Sequence, residues 1–307
     1  MPNSILGKLA RMRILGKSPV NAYLRVNEWI WNHTPPSLLT LRPLTSYGRL
    51  LHAIVRLQAD RRQYFGTLFL RNRPQLELIQ RIANQRAKES SLSIAVLGCS
   101  NGAEAYSILW TIRSARPDLT VATHAMDISR DVLTLAQNGV YSIRTPELVE
   151  HPIFERMTER EIQDIFEWEG EHVSIRTWLK EGIIWHHRDA GDPEIVDSLG
   201  RQDIVIANNF LCHMDPPNAE RCLRNISTLV KQDGYLFVSG IDLAVRTKVA
   251  RDLGWKPVPE LIEEIHNGDH ILRVDWPFKW WGLEPFNQRR HDWQMRYASV
   301  FMLDGQN

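Results

Sequence analysis

"IAVLGCSNGAEAYSILW", residues 94–110, passes from an aliphatic run through a glycine-flanked turn into a stretch with helical spacing. Backbone N–H groups at a helix N-terminus, with no Cβ in the way, let a ligand approach such a turn closely. A dinucleotide site asks for GxGxxG, and a phosphate loop asks for GxxxxGK followed by Ser or Thr. Here the glycines are Gly98 and Gly102, no lysine follows them, and Glu104 opens the helix. An acidic residue beside Ser100 and Asn101 disfavours a pyrophosphate and suits a ligand that carries an ammonium group.

Downstream, the apolar runs "SIAVLG", "TVATHAMD", "GIIWHH", "DIVIAN" and "YLFVSG" read as strands. They alternate with helical segments at 103–115, 129–138, 216–230 and 242–253. Such alternation predicts an α/β fold, a doubly wound, mostly parallel sheet that binds ligands at the carboxyl ends of its strands. Ser129 and Asp215 are expected to cap helices, Gly139 to end one, and Asp233-Gly234 to turn into the last strand. Residues from about 142 to 182 break the pattern and read as an insertion with a polar helix and a short hairpin at "EWEGEHVSIRTW". Asp127 ends the second strand, where a carboxylate can accept both hydroxyls of a ribose. Asp189, in "HRDAGD" after the third, can take an adenine amino group. A nucleoside joined to an amino acid without phosphate meets these demands, and S-adenosylmethionine is such a molecule.

Composition narrows the class. The chain has 307 residues, 43% hydrophobic and 24% charged, which fits a soluble globular protein. No apolar run approaches the roughly 20 residues of a membrane span, and "MPNSILGKLARMRILGKSPV" lacks a signal peptide's continuous apolar stretch, so a cytoplasmic location is expected. Cys99, Cys212 and Cys222 show neither CxxC nor Cys/His ligand spacing, which predicts reduced thiols and no metal site. Charge is uneven: residues 1–90 hold 15 Lys or Arg against 4 Asp or Glu, and the remainder holds 22 against 32. The expected organisation is a basic, mainly helical region at 1–90 and a ligand-binding domain at 91–307 that ends in a Trp-rich segment at 254–307. "NAYLRVNEWIWN" predicts an amphipathic helix and "HTPPSLLTLRP" an irregular connector. From Tyr47 to about Ala87 the spacing is helical, broken near Pro74. Such a basic region can pack on its own acidic remainder or meet an anionic membrane surface; nucleic acid is the less favoured partner.

"GCSNGAEAYSILW", "AMDISRDVLTLAQNGVYS" and "DIVIANNFLCHMDPPNAERCLRNISTLVKQDGYLFVSG" resemble the successive motifs of the chemotaxis receptor methyltransferase (CheR) family. "TLFLR", Thr67 to Arg71, is similar to that family's Thr-x-Phe-Phe-Arg segment. The resemblance covers roughly residues 60 to 242. It implies a class I, Rossmann-like methyltransferase with a seven-stranded sheet, a helical N-terminal extension and S-adenosyl-L-methionine as cofactor. On the same ground Gly98, Ser100, Asn101, Gly102, Glu104, Asp127, Ile128, Asp189, Ala190, Asn208 and Asn209 line the cofactor, with Thr67 and Arg71 closing over it.

The departures fall on the acceptor side. GEEPYS is here Gly102-Ala103-Glu104-Ala105-Tyr106-Ser107. Arg-Asn-Val-x-Ile-Tyr-Phe is Asn208-Asn209-Phe210-Leu211-Cys212-His213-Met214, and "GHSE" is "SGID". His213 takes the place of the family's Tyr and is the candidate base for a hydroxyl acceptor, or else a local hydrogen-bonding residue that shapes the pocket. Arg71 either orients an acidic substrate group or anchors the N-terminal region. His186-His187 points to structural roles, because neighbours on a strand face opposite ways. Glu263, Glu264 and His266 read as a solvated face or lid, and the tail tryptophans as a cover for the site or a homodimer contact. The expected acceptor is a carboxylate or hydroxyl of a small molecule or of a glycan or lipid precursor. The alternatives are a chemotaxis-type protein glutamate or a regulatory protein that binds the cofactor without turnover.

Overall fold

The computed structural model describes residues 19–39, 41–144, 153–269, 272 and 276–303. Their packing divides into two compact units, one from the described parts of 63–269 and 287–307, the other from those of 1–62 and 270–286. Composition changes at residue 90, whereas packing changes at residue 62. The reason is apolar: Phe69, Leu70, Leu78, Ile79 and Ile82 are buried in the core of the larger unit.

That unit is built on seven strands: β1 (Ser91–Leu97), β2 (Thr120–Asp127), β6 (Ile183–His187), β7 (Gln202–Asn208), β8 (Val230–Ser239), β9 (Lys256–Pro257) and β10 (Val300–Leu303). Their order is β6-β2-β1-β7-β8-β10-β9, and β10 runs antiparallel to both neighbours while the other pairs are parallel. The expected mostly parallel seven-stranded sheet is present. Central β1 buries Leu92, Ile94, Ala95, Val96 and Leu97 although they alternate between its two faces, as a strand covered by helices on both sides must. Strand order extends from β1 through β2 to β6 in one direction and from β7 through β8 in the other, so crossovers of the usual right hand put helices Ala103–Ala115 and Arg130–Asn138 on one face and Pro216–Ser227 and Leu243–Asp252 on the other. The last two strands lie in the Trp-rich tail, where alternation is too short to read from sequence.

The order in which strands are added reverses between the parallel neighbours β1 and β7, and the register fixes what meets there. Val96 pairs with Ile206, Leu97 with Met126, Asp127 with His187 and Asn208 with Ser239. Gly98, Asp127, Arg188 and Asn209 therefore share one end of the sheet, where such folds bind ligands.

The insertion is a second, antiparallel sheet of β3 (Val140–Ser142), β5 (His172–Ile175) and β4 (Phe166–Glu169), in that order. The predicted hairpin is β4–β5. The polar helix is Glu159–Ile165, held by a capping box between Thr158 and Glu161. Residues 145–152 lie outside the described residues.

Some local expectations change. Ser129 occupies its N-cap without a side-chain bond, and its N–H donates to Asp127 Oδ1 at 2.9 Å. Gly139 ends that helix in the left-handed region, and Asp215 caps the next through Asn218. Asp233-Gly234 lies within β8, not at its start. The helical stretch from Tyr47 is two helices, Arg42–Gln58 and Arg73–Asn84, separated by non-helical residues from Ala59 to Asn72. The connector at 33–43 holds a helical turn at Pro36–Leu39, and Pro43 sits in the first turn of the next helix, where its missing N–H costs nothing.

The smaller unit centres on Trp31, Leu51 and Trp276, with Leu24, Tyr47 and Phe278 against them. No helix among the described residues is long and apolar enough to cross a membrane.

Phe69 anchors the segment ahead of the sheet. It is fully buried, edge-on to Tyr141 and Phe166 and stacked on Phe154 at 6.1 Å. Phe69→Ala should cost about 3–5 kcal/mol of stability by chemical denaturation. A loss below about 1 kcal/mol would mean that the insertion does not depend on this ring.

Candidate active site

At the turn after β1, Cys99 N–H donates to the Met126 carbonyl at 2.9 Å, so the loop follows β2. Ser100 N–H then donates to Asp127 Oδ2 at 2.8 Å. Gly98 has a φ of +67°, and a Cβ there would lie 2.8 Å from the Phe210 ring, so only glycine admits that ring. Asn101 Oδ1 accepts the Ala103 N–H at 3.1 Å and its carbonyl accepts the Tyr141 hydroxyl at 2.7 Å. Its buried Nδ2 has no partner. Gly102 is the left-handed N-cap of the helix that carries Glu104.

Across the switch in strand order, Asn208 Nδ2 donates to Glu104 Oε1 at 2.7 Å while Asn208 Oδ1 accepts the Ser239 hydroxyl at 2.8 Å. Asn209 follows with a φ of +60°, and its buried Oδ1 has no partner. The loop after β8 presses against it: a Cβ on Gly240 would lie 2.5 Å from Asn209 Cα. His213 closes a helical turn at Leu211–His213, its N–H donating to the Phe210 carbonyl at 3.1 Å.

On the β6 side, Arg188 N–H donates to the Asp127 carbonyl at 3.1 Å, which places Asp189 and Ala190 beside the β2 end. Asp189 is exposed and accepts the Gly191 N–H at 2.8 Å. Ala190 is buried, its carbonyl held by Asn225. Ile128 is exposed, and its carbonyl contacts His187 Nε2 at 3.0 Å. His186 stacks on His124 with ring nitrogens 2.9 Å apart, so the adjacent histidines have separate partners.

Thr67 and Arg71 are brought to the turn by two bonds. Leu70 N–H donates to Ser107 Oγ at 3.0 Å, and the Ser100 hydroxyl donates to the Phe65 carbonyl. Two residues that sequence reasoning missed complete the site. Asp269 is buried, accepts Arg71 Nε at 2.5 Å and pairs with Arg156 at 2.9 Å; Arg156 also donates to the Arg71 carbonyl. Arg71 therefore has a carboxylate partner within its own unit. Arg156 lies in the insertion and Asp269 just beyond the helix Ile262–Asn267, and neither carries a local signal. Glu263 and Glu264 are exposed as expected, but His266 is buried against the Tyr297 ring, which corrects the solvated reading for that residue.

The electrostatics state what the site lacks. Burial raises the Glu104 pKa, against the Asn208 hydrogen bond and the charge of Arg71. Burial likewise raises that of Asp127, against N–H groups from Ser129 and Ser100. Both carboxylates are hydrogen-bonded and keep lone pairs to spare, and Asn209 Oδ1 has no partner among the described residues. Acceptor capacity of this kind suits a ligand with hydroxyls and an ammonium group and disfavours one made of phosphate acceptors. S-adenosylmethionine meets that requirement.

Residues 66–248, more than half of the chain, match the family model for the CheR methyltransferase, SAM binding domain. The chain belongs to the CheR methyltransferase family. It carries that family's S-adenosylmethionine-binding methyltransferase domain on a class I fold. An uncharacterized 104.1 kDa protein of Rhodobacter capsulatus is 27% identical over 218 residues, covering 67% of this chain and 22% of that protein. The chain thus spans less than a quarter of its relative's length. Among solved structures, magnesium protoporphyrin IX methyltransferase from Synechocystis PCC 6803 is 14% identical with a TM-score of 0.34, covering 60% of this chain and 71% of that one. A precorrin 8W decarboxylase from Methanobacterium thermoautotrophicum is 16% identical with a TM-score of 0.34, covering 59% and 73%. At those scores neither likeness carries argument; the fold rests on the strand order and the family match.

Two outcomes check the site. Asp127→Asn keeps the side chain's size but loses its charge, and should weaken S-adenosylhomocysteine binding by about 1.5–3 kcal/mol in calorimetry; unchanged affinity would move the ribose elsewhere. Burial works to raise the Asp269 pKa, yet Arg71 and Arg156 hold it below the ordinary carboxylate value. A lowered folded pKa stabilises above the unfolded value, about 3.9, and that contribution fades as pH falls through the lowered one. Asp269→Ala strands two guanidinium groups and should cost about 3–5 kcal/mol near neutral pH, with the gap to wild type narrowing below about pH 4. A gap that widens in acid would contradict the pairing.

Proposed function

We propose that this methyltransferase acts on a carboxylate or hydroxyl of a small molecule, or of a glycan or lipid precursor. Glu104, Asp127, Asp189 and Asn209 hold the cofactor, with the turn from Gly98 to Gly102 beneath it and Thr67 and Arg71 over it. Ser100, Asn101, Ile128, Ala190 and Asn208 complete that lining. The observation that carries the reading is the Asn208 side chain. At the position where the family has an arginine, its amide is spent on Glu104 and Ser239, so it offers an acceptor no charge.

S-adenosylmethionine supplies an electrophilic methyl group when bound. The chain's residues contribute alignment, exclusion of water and proton handling. Arg71, its charge shared with Asp269, orients an anionic part of the acceptor. His213 follows β7 within the same loop as Asn209, and its imidazole takes the proton of an acceptor hydroxyl. A carboxylate acceptor needs no base, and there His213 shapes the pocket.

The test is transfer of labelled methyl from S-adenosylmethionine into a cell extract, with separation of small-molecule, lipid and protein fractions. Label in the small-molecule or lipid fraction is expected, and label confined to a chemoreceptor fragment would overturn the reading. On the labelled acceptor, His213→Ala should lower turnover by about 10²–10⁴-fold at neutral pH if the acceptor is a hydroxyl. A small, pH-independent loss would assign a carboxylate.

A further inference from the structure

Eight of the fourteen large apolar side chains exposed among the described residues fall between Tyr23 and Leu57. In helix Pro19–Asn32, Trp29 (64% exposed), Val26 (59%), Ile30 (50%) and Tyr23 occur at i, i+3, i+6 and i+7 and form one outward stripe. The opposite side of the helix supplies Trp31 and Leu24 to the core of its unit. Helix Arg42–Gln58 repeats the pattern. Leu50 (53%) and Leu57 lie outward seven residues apart, and Leu51 is buried behind them. The helices are joined by the Tyr47 hydroxyl, which donates to Asn27 Oδ1 at 2.5 Å and lies 2.7 Å from the Tyr23 hydroxyl. Apolar stripes that point outward from a formed core are surface, not unfinished packing.

Charge selects the occupant. Residues 19–62 hold six arginines against Glu28 and Asp60, and residues 1–18 add Lys8, Arg11, Arg13 and Lys17 without an acid. Arg42, Arg49 and Arg56 recur every seven residues and so lie along one line of their helix, one residue ahead of Leu50 and Leu57. Of these, Arg49 is tied to Glu284 at 3.0 Å, while Arg42 is exposed. Arg25, also exposed, flanks Trp29 on the first helix. Apolar stripes bordered by arginines are the pattern of helices that lie in the plane of an anionic bilayer, side chains in the acyl boundary and guanidinium groups among headgroups. Nucleic acid would leave the stripes in water, and a second copy would bring two basic surfaces together.

We propose that the outward faces of Pro19–Asn32 and Arg42–Gln58 dock this protein on an anionic lipid surface. The inference is independent of the methyl acceptor, since none of these residues belongs to the cofactor site.

The test is co-sedimentation of the full chain with vesicles of phosphatidylcholine, and with vesicles in which about a third is phosphatidylglycerol. Binding is expected to the second, about tenfold weaker to the first, and reduced by salt. Trp29→Ser with Ile30→Ser should weaken binding at least about tenfold. Arg25→Gln with Arg42→Gln should weaken it about fivefold per charge and flatten the salt dependence. Wild-type S-adenosylhomocysteine affinity in all variants shows that the fold is intact and separates failure here from failure of the methyltransferase reading. No binding at low salt, equal binding to neutral vesicles, or a solution dimer that Trp29→Ser with Ile30→Ser dissociates would each overturn the proposal.

Discussion

The Asn208 side chain spans the point where the strand order of the parallel sheet switches, and the arrangement around it follows from what it joins. Its amide links Glu104, on the helix after β1, to Ser239 at the end of β8. Strand register delivers these groups, since Asn208 pairs with Ser239 and the β1 end lies between β2 and β7. A parallel sheet buried on both faces resists a register slip, because a shift of one residue would turn every side chain to the other face. The residues proposed to hold the cofactor are thus placed by backbone pairing. Close approach does the rest, with the Phe210 ring on Gly98 and Asn209 against Gly240.

Much of this is legible in sequence because it is local. Apolar runs that alternate with capped helices give the phase of β1, β2, β6, β7 and β8. The absence of a lysine after Gly102 excludes a phosphate loop, and the acids that end strands point to a nucleoside with an amino-acid part. What stays hidden is non-local. Asp269 meets Arg71 from 198 residues away, and Arg156 joins them from the insertion. Nothing in "NGDH" marks a carboxylate that two arginines will enclose. The end strands β9 and β10 are equally silent, being two and four residues long in a segment whose tryptophans dominate the pattern. Residues 63–90 share the basic charge of the N-terminal region yet pack into the methyltransferase unit, because Phe69, Ile79 and Ile82 outweigh surface arginines in deciding what is buried.

The residues proposed for the cofactor and for the acceptor occupy different parts of one loop. Asn208 and Asn209 belong to the lining proposed for the cofactor, where the buried Asn209 Oδ1 has no partner among the described residues. Four residues on, His213 stands where the family has a tyrosine. A tyrosine-to-imidazole exchange replaces a group that holds its proton at neutral pH with one that can take a proton there. On the proposed function, that exchange bears on which acceptor atoms react and leaves the cofactor residues untouched.

The most direct measurement is a crystal structure of the full chain with S-adenosylhomocysteine bound. The account predicts ribose hydroxyls on the Asp127 carboxylate, the amino group within reach of Glu104 or Asn209 Oδ1, and the His213 imidazole on the side of the sulfur that faces the acceptor. A nucleoside bound away from Asp127, or an imidazole turned from the sulfur into the protein, would contradict it.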